Sequence, residues 1–347
     1  LVRADTLAPR ALPAPLETAP LPRPAGLAET LELNGTHKLT LATPAELGPL
    51  DVILLSFRCQ LRSPQDKLTA TVAYADRTAT YIFPYTAEAA AVSVPVRPRG
   101  GQSVEVSLTS VGGAALTGIG LQRLNLHGFT NAAATAVGRA GANPQAPKVM
   151  VPNVHGALGD PRVEQMAYGF PDKGEFPLPP DVKPPVHTDA FSYFDGDVLA
   201  GTPLYPTVRP GKAPWDPPQA LATLRSAQVV LDFARPVTVA AVGVWEHPSD
   251  APVSAFAVEY CGGASEAGLT RELTGDWKLA FEARGNRDYY HVHPFAKPLT
   301  GKVWRYTVLD TPSAIQRLAE LELYQSLVDS LETELGEPDT PADDFGL

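Results

Sequence analysis

Apolar and polar residues alternate in short runs over two long stretches of the chain, residues 31–129 and 187–325. In one such run Trp304, Tyr306 and Val308 fall on one face of a strand, and polar residues fall on the other. Residues that favour turns separate the runs at about the spacing of a β-sandwich. Both stretches are therefore predicted to be β-sandwich domains.

The pattern predicts fifteen strands in all. They are residues 31–33, 38–41, 52–61, 68–74, 78–84, 91–96, 103–108 and 121–126 in the first stretch, and 228–233, 237–245, 255–260, 277–282, 289–293, 302–309 and 319–324 in the second. Strand periodicity dominates throughout, so the predicted fold class is all-β, with two jelly-roll sandwiches in sequence.

The segments before and between these two domains are rich in proline. The chain has 36 prolines in 347 residues, about twice the usual frequency. Six lie in residues 1–30 and ten in residues 130–186. The first segment is predicted to be an extended arm that lies along a partner or is a loose leader, and the second a connector that wraps over a domain or contacts a partner.

Charge excludes some partners. The net charge is −10, from 28 basic and 38 acidic residues, and residues 326–347 contribute seven of the negative charges with no Lys or Arg. This acidic tail is either solvated or docks on a basic surface. An acidic chain without a basic stripe is a poor partner for nucleic acid, and no apolar run reaches the roughly 18 residues of a membrane span.

The second stretch contains a characteristic order of short motifs. They are FDGD (194–197), VVLDFARPVTV (229–239), VGVW (242–245), FAVEY (256–260), Trp277, VWRY (303–306) and LAELELY (318–324). Over about residues 187–325 this order resembles the galactose-binding-like jelly rolls of discoidin, coagulation-factor type C and carbohydrate-binding modules. The chain departs from the family pattern at Phe233-Ala234 and in an insertion at 262–276. The closing motif is echoed at Gly120–Leu126, so the first stretch is predicted to be a diverged second copy.

The resemblance implies a structural Ca²⁺ where the first and last strands meet. Asp195, the carbonyl of Gly196, Asp197 and Glu320 would supply the hard oxygen ligands that Ca²⁺ prefers. Glu322 projects from the same side of its strand as Glu320, so either could be the ligand. The alternative is an Asp-Gly turn without a metal.

The resemblance also places ligand-binding loops after Val244 and around residues 284–290. A glycan site needs an aromatic surface beside fixed polar groups. The candidates in these loops are Trp245, His247, Arg284, Arg287, Tyr289 and Tyr290. The alternative is that Trp245 and one tyrosine belong to the core and the others are ordinary loop residues.

Signals for a metal, redox or catalytic centre are weaker. His291 and His293 alternate on one strand face and could join His247 in a zinc site. Cys59 and Cys261 are about two hundred residues apart and are expected to be separate buried thiols. No nucleophile elbow, metalloprotease, phosphate-loop or dinucleotide motif is present, so a non-catalytic protein is expected.

Two functions are compatible with these features. The first is a structural accessory subunit of a larger extracytoplasmic assembly, periplasmic or secreted and peripheral to a membrane, because prolines reduce the entropy lost when extended segments dock on a partner. The alternative is a module that binds a carbohydrate or cell-surface ligand and carries a structural Ca²⁺. The chain begins at Leu1, which fits removal of a leader or truncation for expression equally well.

Overall fold

The all-β prediction is confirmed by the structure, a computed structural model whose main elements are antiparallel strands in two large sheets. It describes residues 16–24, 27–44, 46–98, 103–132, 148–150, 198–199, 202–203, 228–248, 250–267, 272–312 and 317–326. Within those residues, no helix has the length and apolar character that crossing a membrane requires.

Seven strands form the first sheet. They are β1 (Glu17–Leu21), β2 (Thr30–Leu41), β3 (Val52–Leu61), β4 (Lys67–Ala73), β5 (Thr78–Pro84), β6 (Ala90–Val96) and β7 (Val104–Asn125). The predicted bounds of β3 and β5 are those of the structure. Predicted strands 31–33 and 38–41 join in β2, and strands 103–108 and 121–126 join in β7.

The long strand β7 bends, and the sheet folds over into two layers. Its first half pairs with β4 and the second half of β2, whereas its second half pairs with β3 and β1. Gly113 lies between the halves with φ of 101°, a conformation open to glycine but strained for other residues. Strands β5 and β6 lie at the edges of the two layers.

Alternate side chains of both layers fill one core. Leu68, Ala70 and Val72 of β4 point inward, as the alternation predicts, and meet residues of β3 and β6 from the other layer. The hydroxyl of Tyr81 donates a hydrogen bond of 3.1 Å to the carbonyl of Pro95, which ties the edge strands of the two layers together.

Eight strands form the second sheet, and two more form a small hairpin. The sheet strands are β8 (Phe129–Asn131), β9 (Lys148–Met150), β10 (Thr202–Pro203), β11 (Gln228–Glu246), β12 (Ala255–Cys261), β15 (Lys278–Arg284), β16 (Tyr290–Asp310) and β17 (Arg317–Ser326), and the hairpin strands are β13 (Ala264–Ala267) and β14 (Glu272–Gly275).

Two long strands, β11 and β16, run through both layers of this second sandwich. Their pairing shifts register between Asp232 and Val237, so the sheet changes direction while the strands continue. The predicted strands 228–233 and 237–245 are thus one strand, as are 289–293 and 302–309. The core between the layers is richer in aromatic residues than the first and includes Phe256, Trp304 and Tyr306.

Parts of the flanking segments belong to the sheets. Residues 17–21 of the predicted arm pair with β7 of the same chain, and residues 1–15 lie outside the described residues. Pro20 is tolerated there because β1 pairs with β7 alone among the described strands. Residues 148–150 of the predicted connector pair with β11. The remainder of the connector and the acidic tail fall almost entirely outside the described residues.

Candidate functional site

The three aromatic residues that were predicted to form a sugar-binding surface on loops lie instead at the junction of the two sandwiches. Trp245, Tyr289 and Tyr290 have exposed fractions of 1%, 0% and 4%. The rings of Trp245 and Tyr290 pack on each other with centroids 4.3 Å apart. This corrects the sequence prediction, because a buried ring has no free face on which a sugar could stack while the junction is closed.

A buried ion pair holds the centre of the junction. Both terminal nitrogens of Arg97 donate to the carboxylate of Glu322, at 2.8 and 2.9 Å, and the guanidinium lies 4.7 Å from the centre of the Trp245 ring. The Trp245 indole N–H and the Tyr324 hydroxyl donate to the same carboxylate. Burial acts to lower the pKa of Arg97, but Glu322 and its neighbours raise it above its ordinary value, so the guanidinium stays charged.

A second set of contacts covers the edge strands of the first sandwich. The Tyr289 hydroxyl donates to the Ile82 carbonyl at 2.7 Å and accepts from the Ile82 N–H at 2.9 Å. One carboxylate oxygen of Asp288 accepts hydrogen bonds from the backbone N–H and the hydroxyl of Ser93. Burial raises the pKa of Asp288 and Tyr289. These bonds satisfy backbone groups that an isolated sandwich would leave to solvent.

The other three predicted ligand residues are not brought together with those rings. His247 is half-buried, and burial followed by the nearby Arg317 lowers its pKa. Arg284 is exposed and contacts Glu282. Arg287 is exposed at the mouth of a cleft of about 280 Å³ between the two sandwiches. Both predicted loops do reach this cleft, through residues 251–254 and 285–287.

The predicted calcium site falls largely outside the described residues, since only Glu320 among its four ligands is described. Glu320 is fully buried on β17, and the alternative ligand Glu322 is engaged by Arg97. Across the part of the chain that the structure describes, no group of three His, Cys, Asp or Glu residues could hold a metal ion.

The histidine and cysteine side chains that were considered as metal or redox groups pack against neighbouring side chains. His291 and His293 both stack on the ring of Phe281. Partial burial lowers the pKa of both imidazoles, and for His291 the neighbouring His293 lowers it further, so protonation of either ring is disfavoured. Cys59 and Cys261 are separate buried thiols, as predicted.

An aromatic and charged surface that the sequence did not single out lies on the outer face of the second sandwich. Leu279, Glu259 and Arg305 are directly opposite one another on β15, β12 and β16. The Arg305 guanidinium donates to Glu259 at 2.6 and 2.8 Å and lies 4.0 Å from the centre of the Trp277 ring. We call these four residues the indole platform.

The indole platform is fixed but accessible. Trp277 is half-buried and packs against the small apolar cluster of Val230, Cys261 and Val303. Leu279, two residues further along the chain, is 59% exposed, and Val111 is the one other large apolar side chain that is exposed among the described residues. The ion pair and the stacked guanidinium hold the indole in place, so little rotamer entropy would be lost when a ligand settles on it.

One signal in the sequence could have identified this surface. Glu259 and Arg305 are polar residues within strands whose other faces are apolar, and opposite charges on neighbouring strands favour pairing. Trp277 entered only as one motif of the resemblance. Recognising the platform required the register between β12 and β16, which sequence alone does not provide.

Comparisons with known proteins bear on the fold. No family model and no curated protein matches the chain. The family 32 carbohydrate-binding module of C. perfringens NanJ, solved with galactose, is 14% identical with a TM-score of 0.29, over 39% of this chain and 84% of the module. The family 32 module of Streptococcus pneumoniae EndoD is 20% identical with a TM-score of 0.24, over 38% of this chain and 99% of the module.

A third similar structure is a catalytic protein. The GH29 fucosidase of Ruminococcus gnavus, solved with fucose, is 14% identical with a TM-score of 0.27, over 40% of this chain and 23% of the enzyme. The predicted resemblance to galactose-binding-like jelly rolls is therefore confirmed as a partial match, over about 40% of the chain. At these TM-scores the similarity says nothing about a ligand of this chain.

Proposed function

We propose that this protein is a non-catalytic carbohydrate-binding protein of the extracytoplasmic space, and that it holds a neutral pyranose chain on the indole platform. The observation that carries the proposal is the half-buried Trp277 indole fixed over Arg305 beside an exposed leucine. The axial C–H groups on one face of a pyranose ring form an apolar patch, which can pack on the exposed part of such an indole.

The charges of the platform favour a neutral glycan. Arg305 is an ion-pair partner of Glu259, so the positive charge that would attract an anionic sugar is already compensated. Guanidinium N–H groups and carboxylate oxygens can still share hydrogen bonds with hydroxyls at the edge of a sugar ring. Specificity would then come from the pattern of equatorial and axial hydroxyls rather than from charge.

The accessory-subunit hypothesis has less support. It depended on extended, partner-binding proline segments, and residues 17–21 of the arm instead form a strand within the same chain. The calcium hypothesis stays a prediction about Asp195, Gly196, Asp197 and Glu320. Its check is the change in thermal stability on adding EDTA and then Ca²⁺, which a bound structural ion would make reversible.

The glycan proposal is tested by affinity electrophoresis in gels that contain neutral polysaccharides, followed by calorimetry on any that retard the protein. Trp277→Ala should weaken binding at least about tenfold, which corresponds to about 1.4 kcal/mol. Trp277→Phe should keep part of the affinity. Val111→Ala is the matched control, because Val111 is 95% exposed on the other sandwich and should not matter.

Two results would overturn this proposal. One is failure of every neutral polysaccharide and array glycan to bind the wild-type protein. The other is equal affinity of wild type and Trp277→Ala for the bound glycan, with circular dichroism showing that both are folded.

A further inference from the structure

The cleft between the sandwiches is a second, chemically different site. Its volume of about 280 Å³ is near the lower end of small-molecule sites, which are typically about 300–1,000 Å³. Residues of both sandwiches line it: Cys59, Leu61, Ile82, Phe83, Pro84, Thr86, Ala90 and Val92 from the first, and Ala251, Pro252, Ser254, Gly285, Asn286, Arg287 and Pro312 from the second. Most of these side chains are apolar.

The uncharged polar groups of the cleft are already engaged within the protein. The Ser254 hydroxyl donates to Asp310 at 2.9 Å, and the Thr86 hydroxyl donates to the carbonyl of Glu88 at 2.5 Å. The Asn286 amide donates to the carbonyls of Val253 and Asp288. Burial raises the pKa of Cys59 to about 11, so its thiol stays neutral. A sugar, which needs a partner for each of several hydroxyls, would find few donors here.

Arg287 is different from every other residue that lines the cleft. It is the one charged side chain among them, it is exposed, and no ion pair or hydrogen bond joins its guanidinium to a described residue. The next two residues, Asp288 and Tyr289, are bonded to Ser93 and Ile82 of the opposite sandwich. The backbone that carries the guanidinium is therefore held at a fixed distance from the apolar wall.

We infer that this cleft binds a small amphiphilic carboxylate, with its apolar body between the sandwiches and its carboxylate on Arg287. The guanidinium fork matches a carboxylate in charge and shape, and a charge-assisted hydrogen bond is among the stronger ones available. The apolar walls accept an alkyl chain or an aryl ring without leaving a polar group unsatisfied. This site is independent of the indole platform.

The inference is tested by calorimetry on the full chain with octanoate, 3-phenylpropionate and octan-1-ol. Octanoate should bind at least about tenfold tighter than octan-1-ol, because the alcohol lacks the charge that Arg287 recognises. The two carboxylates distinguish an alkyl from an aryl body. Arg287→Gln should bring octanoate binding down to the level of the alcohol.

Two further variants make the result specific to the cleft. Arg284→Gln removes another exposed arginine three residues away that does not line the cleft, and it should leave octanoate binding unchanged. Ala251→Trp fills the cleft from a loop and should abolish binding of octanoate and octan-1-ol alike. The inference is overturned if neither carboxylate binds, if octan-1-ol binds as tightly as octanoate, or if Arg287→Gln and Arg284→Gln behave the same.

Discussion

The junction and the indole platform are built from the same three residue types. At the junction Arg97 pairs with Glu322 and lies on Trp245, and at the platform an arginine pairs with Glu259 and lies on Trp277. The junction pair is 7% and 0% exposed, and the platform pair is 14% and 22% exposed.

Burial decides what such a triad does. Where all three groups are excluded from water, each is committed to the others, and removing one leaves an unsatisfied charge that is expensive to bury. Where one face meets solvent, the ion pair contributes little to stability and the aromatic ring remains available to a ligand. The first triad holds the sandwiches together, and the second is the surface on which we propose that a glycan binds.

The largest expected effect is at the junction. Glu322→Ala leaves the Arg97 guanidinium buried without its counter-charge, and the free energy of unfolding should fall by about 3–5 kcal/mol. Urea unfolding measures this. The double variant Arg97→Met/Glu322→Met is the control and should recover part of the loss, because it leaves no buried charge but still deprives the Trp245 indole N–H of its acceptor. A single-variant loss below about 1 kcal/mol would contradict a closed junction.

A smaller effect is expected from Tyr289→Phe. This change removes the hydroxyl that bonds both the N–H and the carbonyl of Ile82, and leaving those groups unsatisfied should cost about 1–3 kcal/mol. Hydrogen exchange at the Ile82 amide should accelerate. Tyr260→Phe is a matched control, because the Tyr260 ring stacks on Trp304 while its hydroxyl has no hydrogen bond to a described residue. Equal effects of the two changes would contradict the edge-covering role.

The platform counterpart of the first experiment should cost little stability. Glu259→Ala frees Arg305 from a partly exposed pair, so the free energy of unfolding should change by no more than about 1 kcal/mol. Glycan binding should still weaken, since the guanidinium is no longer held under the indole. If Glu259→Ala lowered the free energy of unfolding as much as Glu322→Ala, the proposed difference between the two triads would be wrong.

Acidification should destabilise the second sandwich through its two partly buried histidines, His291 and His293. Burial lowers the pKa of His291 and His293 from the usual value near 6.5, so the folded state binds fewer protons than the unfolded state below that pH. Stability should therefore be complete above about pH 6.5 and decline as the pH falls further. Urea unfolding at a series of pH values should show a smaller decline of stability in the double variant His291→Phe/His293→Phe. The pKa of His247 is also lowered, but His247 is present in both proteins and so does not contribute to the difference between them.

Sequence patterns predicted the strands well where alternation ran between clear turns, as in β3 and β5. They failed where a strand bends. The breaks predicted between strands at 109–120, 234–236 and 294–301 lie within β7, β11 and β16, and they contain Gly112-Gly113, Pro236 and Gly301. A bend and a turn require the same local backbone freedom, so the residue types at a bend do not reveal that pairing continues beyond it.

The candidate site shows a different limit. The sequence predicted that Trp245, Tyr289 and Tyr290 could bind a ligand from loops, but all three rings are buried at the junction. Whether such rings face solvent or another domain depends on which surface covers them, and no local pattern encodes that. Trp277 became a candidate only once its contact with Arg305 was known.

The capped edges of the first sandwich bear on how this chain can change over evolutionary time. Strands β5 and β6 each rely on side chains of the second sandwich to complete their backbone hydrogen bonding, through Ile82 and Ser93. Separated from its neighbour, the first sandwich would offer two open edges to other chains and would be prone to aggregate. We expect the two sandwiches to be inherited and recombined as one unit, unlike modules that are exchanged singly between proteins.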